Sequence, residues 1–204
     1  MTRIVVFNSM TLDGVMQAPG HPDEDRRDGF EHGGWAQPHS DSVYAVIADR
    51  IATPGPLLLG RWTYEKFAAV WPYMPDDNPY TAVINKCRKY VVSGTLREPL
   101  EWNNSTLLTG DLATAVAELK EHETEDITVL GSGELARSLM QGGLVDEYVL
   151  LIHPLVLGSG RRHFPAGSPV TAFELVDSAT TTSGVIIATY RPAVASTTDE
   201  RSAR

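Results

Sequence analysis

The chain has a single cysteine, Cys87, in 204 residues. An internal disulfide is therefore excluded, and one thiolate cannot build a zinc or iron–sulfur site. A reducing, cytoplasmic setting is expected. Lysine is also scarce: only four of the 17 basic residues are Lys. The rest are Arg, the better planar clamp for phosphate. Net positive charge is missing altogether, the formal value being −9. Duplex binding needs a basic face, so no nucleic-acid partner is expected. A small anionic ligand held by a few arginines and backbone amides remains compatible with that balance. No apolar run approaches the ~20 residues needed to cross a bilayer. Residues 1–8 hold only a four-residue apolar run, too short for a secretory signal. No membrane partner is expected.

What is present fits one domain. The hydrophobic fraction is 42%, ordinary for a globule. We expect a single domain over 1–192 and a polar, disordered tail over 193–204. The run Ile4-Val5-Val6-Phe7 reads as a buried strand, closed by the turn Thr11-Leu12-Asp13-Gly14. Residues 17–40 are rich in Gly, Pro and acids and read as a long loop, functional or disordered. Ser40 is a candidate N-cap for a helix over 41–52. Further strands are expected at 57–59, 89–92, 106–109, 126–130 and 147–153. Helices are expected at 61–70, 80–86, 111–123 and 134–141. Residues 172–177 and 185–190 flank a turn and read as a hairpin. Alternating strands and helices predict an α/β fold. It has three layers: a mostly parallel central sheet, helices on both faces, and a C-terminal antiparallel hairpin.

Three strand ends carry small or polar turns: Gly60-Arg61-Trp62-Thr63, Ser93-Gly94-Thr95 and Gly131-Ser132-Gly133-Glu134. In open parallel sheets, ligands sit beyond the carboxyl ends of the strands. Helix N-termini there aim free N–H groups and partial positive charge outward, which suits a phosphate. Each turn alone reads equally as a cap; three on one edge point to a ligand. Gly131-x-Gly133-x-x-Ala136 matches the loose dinucleotide fingerprint by letter, but it comes late in the chain and lacks the acid that should end the next strand. Ser132 is no nucleophile elbow, because Leu130 and Glu134 stand where glycines are required.

The segments MTLDGVMQAPG, LLLGRWTYE, KYVVSGTL, ITVLGSGELARSLM and VDEYVLLIHPLVLGSGRRHF occur in that order. The pattern resembles the dihydrofolate reductase superfamily. Its closer likeness is to the branch built like the C-terminal reductase domain of the bifunctional riboflavin-biosynthesis enzyme. The resemblance spans roughly residues 3–191. It implies an NADPH-dependent reductase, with a homodimer as the family's habit. It places Gly60, Arg61 and Thr63 at the cofactor phosphates, and the hydroxyls of Ser93 and Thr95, with Gly94 between them, near the adenosine ribose phosphate. It places Gly131, Ser132 and Gly133 under the pyrophosphate, with Glu134 and Leu135 opening the next helix. Ser132 stands where dihydrofolate reductases have a second glycine. The first loop, with Leu12, Gly14 and Val15, would lie against the nicotinamide as a lid.

The resemblance implies a proton-donating carboxylate on the first helix, several residues after a tryptophan. Asp41, following Trp35, is the nearest match. Buried over an apolar pocket it would relay a proton; as a solvated first-turn acid it would only favour the helix dipole. The small-molecule substrate would sit among Met16, Trp35, Tyr44 and Pro154. His153 reads as a structural histidine at a strand end, and Arg161-Arg162 as a surface turn or a grip for an anionic substrate tail. His21, His32 and His39 contain no i,i+4 pair, and no metal is expected. Two rivals stand beside the reductase: a nucleotide-binding sensor or partner protein without turnover, and a pyrimidine reductase of riboflavin biosynthesis.

Overall fold

The computed structural model describes residues 1–52, 55–75 and 79–193. The expected tail lies, from residue 194 on, outside the described residues. The strands are β1 (Ile4–Thr11), β2 (Leu57–Gly60), β3 (Lys89–Val92), β4 (Ser105–Leu108), β5 (Ile127–Leu130), β6 (Glu147–His153), β7 (Phe173–Thr180) and β8 (Ile186–Pro192). The helices are α1 (Ser40–Ala52), α2 (Arg61–Ala68), α3 (Pro79–Lys86), α4 (Leu112–His122) and α5 (Gly133–Gln141). One eight-stranded sheet runs in the order β4-β3-β2-β5-β1-β6-β8-β7. The pairs from β4 to β6 are parallel, and β8 and β7 close it antiparallel. The expected α/β architecture and C-terminal hairpin are what the chain forms.

The period of two in β1 sends alternate residues to opposite layers. Ile4 and Val6 join Val116 and Leu119 of α4 and Leu135 and Leu139 of α5 in one core. Val5 and Phe7 face the other way, towards Val43 and Ile47 of α1. A third cluster, Leu57, Leu59, Tyr64, Val91 and Trp102, fixes α2 and α3 over β2 and β3. Leu139 is fully buried; truncating it to Ala would cost about 2–5 kcal/mol. Between α1 and α3 the sheet face over β1 and β5 is left open, and that gap becomes the cleft described below.

Two elements differ from the sequence reading. β1 runs to Thr11 rather than stopping near Phe7, pairing with β6 as far as Thr11↔His153. Its polar end is buried by bonding, not by apolarity: Asn8 is 3% exposed and its Nδ2 donates to Gly131 O at 3.1 Å. The helix expected over 61–70 ends at Ala68, and a 3₁₀ turn, Trp71–Tyr73, follows it. The 17–40 segment carries two further 3₁₀ turns, Arg27–Gly29 and Gln37–His39. It packs through Ala18, Phe30 and Trp35 against Val15 of the first loop and against Leu155 and Leu157.

Candidate functional site

The three polar turns follow β3, β2 and β5, which are neighbours in the sheet. They therefore stand side by side on its carboxyl edge. Gly60 is the N-cap of α2 and Ser132 the N-cap of α5, and neither helix has a side-chain cap bond. α4 differs: Asp111 Oδ1 accepts Thr114 N–H at 2.9 Å. The first amides of α2 and α5 are thus left without a capping side chain, at the edge where an anion would be held.

Ser132 welds two of the turns. Its Oγ accepts Gly60 N–H at 3.0 Å, and its own N–H donates to Thr63 Oγ1 at 3.1 Å. It holds left-handed backbone (φ 54°), next to Gly131 at φ 61°. A non-glycine residue in that region is uncommon and points to a constrained turn. Ser93 is 8% exposed, and its Oγ accepts the N–H groups of Thr95 and Leu96, each at 3.1 Å. That hydroxyl shapes its own turn, while Gly94 beside it is exposed. Arg61 is exposed and, among the described residues, pairs with Glu65 at 3.2 Å one helical turn on. Such an exposed pair is worth about 0.3–0.5 kcal/mol, so the guanidinium is readily redirected to a phosphate. Glu134 pairs with Arg137 and, at 3.7 Å, with Arg161; its backbone, not its carboxylate, is the part suited to an anion. Leu135 packs into the core beneath the turn.

The first loop is stitched down. Leu12 N–H donates to Leu155 O, Met16 N–H to Arg161 O and His163 N–H to Gly14 O, at 2.8–2.9 Å. Val15 is fully buried and Leu12 is 62% exposed. Asp13 accepts Thr11 Oγ1–H and the amides of Leu157 and Gly158, which hold its carboxyl below the usual carboxylate range. The 17–40 segment also reaches α2, where the Arg27 guanidinium lies 4.0 Å over the Trp62 ring.

The open gap in the sheet layer is a cleft of about 630 Å³. Phe7, Leu130 and Thr128 floor it, Val43, Tyr44 and Ile47 of α1 form one wall, and Val83 and Ile84 of α3 the other. Arg3, Asp126 and Glu147 lie at its far end, bonded to one another through Arg3. His153, Ser9, Gln37 and Ser40 lie at the end nearest the turns. Burial of Tyr44, with the charge of Asp41 one turn away, pushes its hydroxyl pKa up.

The expected substrate residues divide. Tyr44 lines the cleft. Met16 does not: its Sδ lies 2.8 Å from where a Cβ on Gly133 would be, so it covers the third turn. Trp35 is 8% exposed and donates its Nε1–H to Gln17 O at 2.7 Å. It is packed against His153 and does not line the cleft, so the expected place beside the substrate is not open to its ring. Pro154 is exposed, and its neighbour His153 takes the place by the cleft. Asp41 is exposed rather than buried, because it occupies the outward side of the first turn of α1. Arg161 and Arg162 do not line the cleft; they pair with Asp28 at 2.9 Å and Asp13 at 3.8 Å.

A family model described as the RibD C-terminal domain matches residues 2–187. The chain belongs to the RibD C-terminal domain family. Among curated relatives of this family member, the uncharacterized protein YyaP of Bacillus subtilis (strain 168) is 27% identical over 192 residues, 92% of this chain and 94% of that protein. The uncharacterized protein YwjB of the same organism is 27% identical over 158 residues, covering 78% and 80%. A candidate riboflavin biosynthesis protein from Shewanella sp. PV-4 superposes with a TM-score of 0.65 at 21% identity, covering 95% of this chain and 100% of that one. A pyrimidine reductase-like protein from Corynebacterium diphtheriae superposes at 0.64, with 14% identity and coverage of 95% and 92%. The dihydrofolate reductase of Enterococcus faecalis, complexed with NADP(H) and RAB-propyl, superposes at 0.58, with 13% identity and coverage of 94% and 97%. These structures show that the RibD C-terminal domain shares the dihydrofolate reductase-like fold.

Proposed function

We propose that the chain is an NADPH-dependent reductase acting on a C=N or C=O bond of a small heterocycle. One observation carries the reading: two helix N-termini without side-chain caps stand on adjacent strands, tied together by Ser132, beside a deep apolar cleft. The residues fit the cofactor's charged spine. Amides of α2 and α5 would hold phosphates with Thr63 beside them, Arg61 would grip one in fork geometry, and Ser93 and Gly94 would border the ribose phosphate. NADPH, when bound, supplies the hydride. The chain's own work is to position and to exclude water. Leu12, Gly14 and Val15 would cover the cofactor's reactive ring, and Tyr44 would border the substrate. Asp41 would take a proton from solvent at its carboxylate, with Tyr44 between it and the cleft. No described helix is long and apolar enough to cross a membrane, and we place the protein in the cytoplasm.

A homodimer is part of the proposal. Leu175, Val176 and Ile186 leave 56%, 46% and 42% of their surface exposed on the terminal hairpin, apolar surface that a second copy would cover. Light scattering should give twice the chain mass. The family match also favours a second reading, a pyrimidine reductase of riboflavin biosynthesis. That substrate carries a ribose phosphate, and neither Arg161 nor Arg162 lines the cleft. The test is NADPH oxidation by the purified chain against pteridine, pyrimidine and quinone-like acceptors. Turnover of a pteridine or other heterocycle supports the first reading. Turnover confined to a phosphoribosylated pyrimidine supports the second. NADPH binding with no turnover on any acceptor supports a sensor.

A further inference from the structure

Among the described residues, four buried side-chain polar atoms have no hydrogen-bond partner: Thr81 Oγ1, Ser105 Oγ and both ring nitrogens of His153. A hydroxyl left in that state is a small omission. An imidazole with neither nitrogen paired is a large one, because each group forfeits its hydration without a replacement bond. A leucine would fill the same space without that penalty. His153 is 1% exposed, ends β6 and borders the cleft. Two rings abut it edge-on: Trp35 at 5.1 Å between centroids and His39 at 5.3 Å.

Burial, helped by His39, pushes the His153 pKa down to about 4. At neutral pH the ring is therefore uncharged, with one N–H donor and one acceptor nitrogen. Its surroundings match. The cleft residues at this end are Ser9, Gln37, Ser40 and Tyr44; the lining carboxylates Glu125, Asp126 and Glu147 lie at the opposite end with Arg3. A ligand placed here meets neutral hydrogen-bonding groups at one end and the apolar floor of Phe7 and Leu130 along its length. Among the described residues, the nearest carboxylate at this end is Asp41, exposed on the outward side of α1 rather than lining the cleft.

We propose that His153 is the polar anchor of the substrate, bonding the carbonyl or N–H edge of an uncharged planar heterocycle. This rests on the reading of the cleft as the substrate site. The nearer latch is His39. It is half-buried and its Nδ1 lies 2.9 Å from Ser183 Oγ, a single neutral bond. Trp35 is more firmly held, buried and donating to Gln17 O. The His39 ring turns aside as the substrate enters, and the new bond to His153 replaces the one given up.

The test uses the whole chain with ¹⁵N-labelled histidine and lumazine, a flat pteridine whose edge carries carbonyls and N–H groups. On lumazine addition the His153 ring nitrogens are expected to shift. H153L is expected to fold at least as stably as the parent, since it removes an unpaired imidazole. It should bind lumazine about 10-fold more weakly, the loss of one good hydrogen bond. H153Q, which restores a donor and an acceptor, should recover part of that loss. Unmoved His153 signals at saturating lumazine overturn the proposal, as does H153L binding lumazine as tightly as the parent. Failure of lumazine, pterin and uracil alike to bind at millimolar concentration overturns it too. An NADPH titration of the same samples separates the two claims. Ring binding without NADPH binding removes the reductase reading and leaves the anchor. NADPH binding with a silent His153 does the reverse.

Discussion

The hydroxyl of Ser132 accepts the backbone N–H of Gly60 at 3.0 Å, across 72 residues of sequence. The amide of Ser132 in turn donates to Thr63 Oγ1. Two loops that a dinucleotide would bridge are thus locked to each other. Binding then spends little free energy on ordering them, which is what preorganisation means for affinity.

Removing the weld separates affinity from fold. S132A deletes one part-buried hydrogen bond, worth about 1 kcal/mol. We expect NADPH affinity to fall about 5-fold and the melting temperature to drop by a few degrees. S132G also loses the hydroxyl but relaxes the left-handed backbone, so it should lose the same affinity with a smaller melting shift. Calorimetry of both variants checks the comparison.

Arg61 and Glu65 should behave oppositely. R61A breaks only an exposed pair, so unfolding free energy should change by less than about 0.5 kcal/mol. NADPH affinity should fall about 10-fold, and its salt dependence should weaken. E65A releases the guanidinium and should strengthen binding slightly. A fluorescence titration at two salt concentrations reads both. Equal affinity in R61A and parent would remove Arg61 from the site.

Acid should unfold the chain through its buried histidines. Burial holds His153 and His163 at a pKa of about 4, His39 adding to the effect at His153. In the unfolded chain the value is about 6.5. The folded pKa is therefore the lower one, so stability is complete above about 6.5 and is lost as pH falls from there through 4. Each pKa unit corresponds to about 1.4 kcal/mol. Melting temperature should fall steeply across that window, and less steeply in H153L. A parent curve flat from pH 6.5 to 4 would contradict the burial of these rings.

Gly160 tests how the first loop is held. Its φ is 110°, and an added Cβ would lie 2.6 Å from Phe30 Cε2 and 2.8 Å from Val15 Cγ1. Those two residues are the centre of the loop's own cluster. G160A should cost about 1–3 kcal/mol, the usual range for overpacking. It should also speed proteolysis within 17–40, which a denaturation curve and a timed digest would show together.

Element order and sheet direction were legible because apolar runs such as Leu57-Leu58-Leu59 sit between plain turn signals. The end of β1 was not. Asn8, Ser9 and Thr11 look like loop residues, but the ladder with β6 continues to Thr11↔His153 and Asn8 is satisfied by its bond to Gly131 O. The three turns could be read because glycine and hydroxyl residues at strand ends have a direct physical meaning. The substrate side was harder. Trp35 was expected beside the substrate because its segment reads as an irregular loop, yet its bond to Gln17 O and its packing on Val15 bury it. The position of Asp41 after a tryptophan fits a buried relay and a solvated first-turn acid alike, and helix phase turns it outward. His153 was visible as a histidine before a proline. Its lack of partners depends on which side chains the fold brings near it, and no local pattern carries that.

The most direct measurement is isothermal titration of NADPH into the parent chain and into R61A/S132A. The account expects one site per chain in the parent, and at least a 10-fold weaker one in the double variant at unchanged fold. No heat with the parent, or the same affinity in both proteins, would contradict it.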